Sequence, residues 1–212
     1  MKTTFLSLLI LIILAINGCY SPWNFTLDDD TKLIIGETKV EDVRKNFNRP
    51  REVINVNDTE VRTTIHKYYM QTGVGKYAIA RVRLLFLEEK EGYLNGYIYA
   101  SSISSEITDF DENKIDKIII GSTKAYEVEK IYGKTPSEIR LPTNLLHIGL
   151  GIEESYQHPE TATYAWIYGY QYLAGLSPKY MYPQDKFIII FFDKDDSVVD
   201  FYHLLDILYP LM

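Results

Sequence analysis

The sequence predicts an α+β fold of two tandem α-α-β-β-β units, each with two short helices packed on a three-stranded antiparallel sheet. Three observations predict it. Leu33-Ile34-Ile35-Gly36-Glu37-Thr38-Lys39-Val40 returns 85 residues later as Ile118-Ile119-Ile120-Gly121-Ser122-Thr123-Lys124-Ala125, and the offset holds from Gly36/Gly121 through Phe47/Tyr132. Self-similarity at a fixed spacing marks a duplicated supersecondary unit. After each copy the apolar period changes from about 3.6 to 2. Eighteen Tyr and nine Phe fall mostly in short alternating runs, which favours sheet over a helix bundle.

The 212 residues have room for two small units, expected over 31–113 and 114–212, each with a modest core. Hydrophobic content of 46% against 24% charged is that of a folded chain and not a disordered one. The net charge of −7, with no basic run beside aromatics, argues against nucleic acid, because phosphate neutralisation supplies most non-specific affinity.

Taken in order, the chain opens with Lys2 and the apolar run Phe5 to Ile16, the pattern of a secretory signal peptide over 1–18 and too short to span a bilayer as a helix. The only cysteine, Cys19, follows Gly18 at the end of that run. Ile16-Asn17-Gly18-Cys19 resembles a bacterial lipobox, which implies a lipoprotein whose Cys19 thiol carries acyl chains such as palmitate. Several chains anchor stably where one does not. With Cys19 consumed, no disulfide is left to staple the fold. Residues 19–30, with Pro22 and Asp28-Asp29-Asp30, are polar and form a tether. Adjacent acids without spaced oxygen ligands and a turn glycine cap a helix start and do not hold a metal.

In the first unit, Thr31 to Ile35 is a helical turn stopped by Gly36, and Thr38-x-x-Glu41 is a capping box opening a helix with Val40, Val43 and Phe47 on one face. Pro50 ends it. In the second unit Ile115, Ile118 and Ile119 precede Gly121, and Ala125, Val128 and Tyr132 follow Thr123, which caps alone because Tyr126 replaces the Glu. Strands are expected at Thr63–Thr72, Tyr77–Glu88 and Tyr93–Ser101, and again at Thr161–Leu173, Lys186–Phe192 and Ser197–Leu204. An insertion of about fifteen residues within Ile139–Glu160 reads as a loop with a short helical turn, and Ser177–Gln184, with two prolines, as a long connection.

Gly36-x-Thr38 to Pro50 and Gly121-x-Thr123 to Gly133-x-x-Pro136, each followed by a three-stranded meander, resemble the small lipoprotein family of outer-membrane assembly factors called SmpA/OmlA or BamE. They are also similar to the tandem-repeat β-lactamase inhibitor proteins, and Tyr164-x-Trp166-x-Tyr168 adds to the likeness. The assembly factor has one such unit where this chain has two. The resemblance implies protein binding without catalysis, in the cell envelope, most simply at the outer membrane facing the periplasm.

Catalytic parts are sparse. His66, His147, His158 and His203 show no metal spacing, and no nucleophile elbow or phosphate-cradling glycine loop is present, so no catalytic residue, metal or cofactor is expected. Asp193 to Asp196 lack the spacing of a calcium loop and read as a charged hairpin tip. The rival functions are an envelope hydrolase or small-ligand-binding lipoprotein using the 139–160 loop, with His147, Glu153, Glu154 and His158, or a secreted inhibitor-like protein. The candidate binding residues are aromatic. Tyr164, Trp166, Tyr168, Tyr170 and Tyr172 share one strand face, with Tyr68 the counterpart in the first unit, and Tyr and Trp rows suit protein contacts. The opposite assignment, with the aromatic row buried and the Ala165/Ile167 side exposed, stays open on sequence grounds.

Overall fold

The computed structural model describes residues 33–47, 49–57, 62–72, 80–103, 106–153, 155–174 and 182–206. The expected signal peptide (1–18) and tether (19–30), with Cys19, lie outside the described residues. The strands are β1 (Glu52–Asn57), β2 (Arg62–Thr72), β3 (Ala80–Lys90), β4 (Tyr93–Ser101), β5 (Glu138–Arg140), β6 (Tyr164–Ala174), β7 (Tyr182–Phe192) and β8 (Val198–Asp206). The helices are α1 (Val40–Phe47), α2 (Ala125–Tyr132) and α3 (Leu145–Leu150), with a 3-10 helix at Glu112–Lys117.

The expected pair of separate units is overturned. All eight strands form one antiparallel sheet in sequence order, with β3 also pairing directly with β6. The join is made by residues that local periodicity does not reveal. Glu138 and Ile139 pair with Tyr97 and Gly96 on one side and with Trp166 and Ala165 on the other, and past the end of β4 Ala80 and Arg81 meet Leu173 and Tyr172. Two further expectations fail. Residues 33–38 form a turn and not a helix, and the segment before Gly121 is only a 3-10 helix, so among the described residues neither repeat has an α-helix ahead of its glycine. β1 is an added strand on the β2 edge, and β7 already begins inside the stretch expected to be a connection.

The sheet is covered on both sides. Its inner face carries a core drawn from both repeats: Ile65, Phe86 and Ile98 from the first, Ala165, Ile167, Ile189 and Phe191 from the second, closed by Leu145 and Leu146 of α3. On the outer face α1 lays Val40, Val43 and Phe47 over Leu85, Leu87 and Leu94, and α2 lays Ala125 and Val128 over Ile188, Ile190 and Val198. A strand buried on both faces reads as an unbroken apolar run and does not alternate. Phe187-Ile188-Ile189-Ile190-Phe191-Phe192, all buried, is such a run.

The insertion is fastened to the first repeat by a fully buried carboxylate. Glu88 accepts from Asn95 Nδ2 (2.7 Å), Thr143 Oγ1 (2.8 Å) and the Asn144 amide (2.9 Å). A buried charge is tolerated when its lone pairs are taken this completely.

Candidate protein-binding surface

The two glycine turns are built alike. Gly36 and Gly121 both take positive φ, 81° and 77°, which a side chain would strain. The Gly36 amide donates to Leu94 O (2.8 Å) and the Gly121 amide to Val198 O (2.7 Å), and the amides of Leu94 and Val198 return bonds to Thr38 O and Thr123 O (both 2.9 Å). Thr38 Oγ1 accepts from the Ile34 amide and Thr123 Oγ1 from the Ile119 amide, both at 2.8 Å. These hydroxyls close the turns, and in the second copy this corrects the expected threonine cap. α2 begins after Lys124, whose amide donates to Glu127 Oε2 (2.9 Å).

The copies then diverge. In the first, Arg140 at the end of β5 reaches the turn, donating to Ile35 O (3.3 Å), and Ile35 is 7% exposed. Among the described residues nothing lies within 4 Å of where a Gly121 Cβ would stand, and Ile120, the counterpart of Ile35, is 52% exposed. Ile119 is 62% and Tyr126, which replaces Glu41, 58% exposed. The second copy thus exposes two isoleucines and a tyrosine within eight residues, where the first exposes only Ile34, at 45%. Beside it runs β8, which among the described residues pairs only with β7. Sequence reasoning missed this surface; its signal was the exchange of Glu41 for Tyr126.

The expected aromatic row lies elsewhere. Tyr168 is 2% exposed beneath α2, its hydroxyl donating to Gly133 O (2.8 Å) and its ring 5.3 Å from that of Tyr132. Burial raises its pKa above the usual phenol range. Tyr68 is buried beneath α1, edge-on to Phe47, and burial pushes its hydroxyl up to about 12. Neither ring is presented to a partner, which corrects their assignment as contact residues: the aromatic face is the one the helices cover. Tyr164 and Trp166 are half-buried. Tyr164 stacks on Phe192 (4.9 Å) and donates to Asp196 Oδ1 (2.6 Å), and Trp166 packs on the same ring at 5.0 Å. The side chains of Tyr170 and Tyr172 lie outside the described residues.

The described members of the rival set are each bonded within their own segment. His147 Nδ1 bonds with Ile152 O (3.0 Å), His158 Nδ1 with Pro159 O (3.1 Å), and Glu153 Oε2 accepts from Ser155 Oγ (3.2 Å), while Glu154 lies outside the described residues. No three His, Cys, Asp or Glu among the described residues gather at metal-binding distance. Two hollows are lined by other residues. One is an open groove beside α1 that mixes Lys39, Arg44 and Lys45 with Glu41, Glu89 and Glu91, and the other is a small apolar crevice between Ile98, Gly149 and Phe187. Glu89 in the groove wall meets the buried His66, Oε2 to Nε2, at 2.7 Å.

A further polar cluster is structural in form. Lys186 Nζ contacts Asp109 Oδ1 (2.9 Å) and Glu112 Oε2 (2.6 Å) and lies 4.7 Å from the centre of the Phe110 ring, tying the 109–112 segment to β7. Burial lowers the Lys186 pKa, but the hydrogen bonds to Glu112 and Asp109 outweigh it, and the net shift is upward.

No family model, curated protein or solved structure matches the chain.

Proposed function

We propose that the chain is a non-enzymatic, protein-binding lipoprotein of the bacterial cell envelope, anchored through Cys19 and acting as an accessory of outer-membrane assembly or as an inhibitor-like binder. The observation that carries this reading is the bare Ile119–Ile120/Tyr126 surface, at a repeat position where the first copy buries its isoleucine. Large apolar side chains clustered at a rigid turn form anchors that a partner can desolvate without ordering a loop. The lipobox-like Ile16-Asn17-Gly18-Cys19 and the resemblance of the turn-and-helix motifs to the assembly-factor family supply the compartment.

In-cell photocrosslinking tests the reading. A photoreactive residue at position 119 should give a discrete protein adduct that Ile120→Asp abolishes, while the same residue at the exposed position 107 should not. Equal adducts at the two positions, or an adduct indifferent to Ile120→Asp, would refute binding through this surface. Cys19→Ala should move the chain from the membrane pellet to the soluble fraction.

A further inference from the structure

We infer that the outer edge of β8 is a strand-addition site for an extended, positively charged segment of a partner protein, held as β5 is held on β4. The inference rests on the protein-binding reading above and names where and how the partner docks.

The correspondence between β4 and β8 is fixed by hydrogen bonds and register. Leu94 and Val198 receive the glycine-turn amides, and each strand then has one unmatched residue, Asn95 or Val199, at a bulge. Gly96, Tyr97 and Tyr99 therefore match Asp200, Phe201 and His203. On β4 the edge formed by Tyr97 and Tyr99 is occupied: Glu138 pairs with Tyr97, and Ser137 Oγ accepts from the Tyr99 amide (2.8 Å) and donates to its carbonyl (3.1 Å). Arg140 continues from this strand to the glycine turn. On β8 the equivalent groups of Phe201 and His203 face the open edge, and no described strand lies beside them.

Two features select the occupant. Asp200 Oδ1 accepts from the Phe201 amide (2.8 Å), so a carboxylate covers the edge until a strand displaces it. An inward or edge-facing charge is how edges are kept from indiscriminate pairing. A cation opposite Asp200 converts that obstacle into a cross-strand ion pair. At the neighbouring hairpin tip Asp193, Asp195 and Asp196 outnumber Lys194 and Lys124, which bonds to the Asp195 carbonyl, and leave a net negative charge. A residue following the cation, placed as Arg140 is, reaches the Ile120 carbonyl and lies over the exposed isoleucines. Asp200 does not itself bar a strand. Gly96 is needed on β4 because Ile139 Cα would stand 3.1 Å from a Cβ there, in a strand squeezed between β4 and β6, and an edge strand is free to sit at the ordinary 4.7–4.9 Å spacing.

The test uses the full-length chain in detergent and labelled peptides copying residues 135–142 with Ile139→Lys or Ile139→Glu, read by fluorescence anisotropy. The Lys peptide should bind at least tenfold tighter than the Glu peptide, and Asp200→Lys should reverse the preference. His203→Pro, which removes an edge amide at an exposed side chain, should abolish binding of both. Equal affinity for the two peptides, binding undiminished by His203→Pro, or an edge closed by a second copy of the chain in a dimer the peptides do not dissociate would each overturn the inference. If the position-119 adduct persists while the peptides fail, the edge assignment falls and the protein-binding reading stands. Asp200→Lys leaves the backbone intact, so the charge test survives even if the proline variant does not fold.

Discussion

Tyr168→Ala separates a core tyrosine from a contact tyrosine. The ring is enclosed by α2, Tyr132 and the β7 side chains, and the hydroxyl satisfies Gly133 O. Truncating a buried aromatic costs about 3–5 kcal/mol from lost transfer energy and the residual cavity. Tyr168→Phe, which keeps the ring and leaves one carbonyl without its donor, should cost only about 0.5–1.5 kcal/mol. For a chain of this size 1 kcal/mol moves the melting temperature by roughly 2–4 °C, so the alanine variant should melt on the order of 10 °C lower and the phenylalanine variant within a few degrees of the parent. Urea denaturation followed by intrinsic fluorescence and by circular dichroism gives the free energies directly. A loss below about 1 kcal/mol for Tyr168→Ala, against the scale set for buried aromatics, would refute the burial argument and restore the ring as a surface contact.

Glu88→Ala should cost about 3–5 kcal/mol, since three donors lose their acceptor in a dry site, and limited proteolysis should then cut within 141–152 before any other described segment. Gly96→Ala should cost about 1–3 kcal/mol in urea denaturation, because the added methyl meets the Ile139 backbone and not a movable side-chain tip. Lys186→Met should cost about 1 kcal/mol at pH 7, a figure reduced for the half-exposed carboxylates it pairs with. Its pH dependence follows from the shifts. Hydrogen bonding from Lys186 depresses Glu112, so that contribution is lost as pH falls below the ordinary glutamate value of about 4.3. The Lys186 pKa is raised, so the contribution is lost again as pH climbs past the lysine value of about 10.4. The stability gap between parent and variant should be flat from about pH 5 to 10 and narrow on both sides; a gap that keeps widening toward pH 3 would contradict the assignment.

Much of the local structure was legible in the sequence. The chain reversals at Gly36 and Gly121, α1 and α2 and most strand positions follow from period, glycine and turn chemistry, and the Glu91-Gly92 hairpin has both residues at positive φ as a two-residue loop demands. What was not legible is long-range. That Ile139 would wedge between Gly96 and Ala165, or Ala80 meet Leu173, depends on register between distant strands, and no local pattern encodes it. The first helix of each repeat was misjudged because aliphatic runs before glycine fit a helical turn as well as the bent segment that forms. Tyr168 was ambiguous because its strand has no exposed face to betray: Ala165 and Ile167 are buried as completely as it is. The unbroken run from Phe187 to Phe192 was the available clue that both faces are covered.

The shared inner core also sets the order of events during synthesis. Ile65, Phe86 and Ile98 reach their final neighbours only after β6 and β7 have been made, so the leading half leaves the ribosome with its apolar inner side uncovered and must wait for its tail. Such a topology closes long loops before their contacts form, the arrangement associated with slow folding and with apolar surface exposed in the meantime.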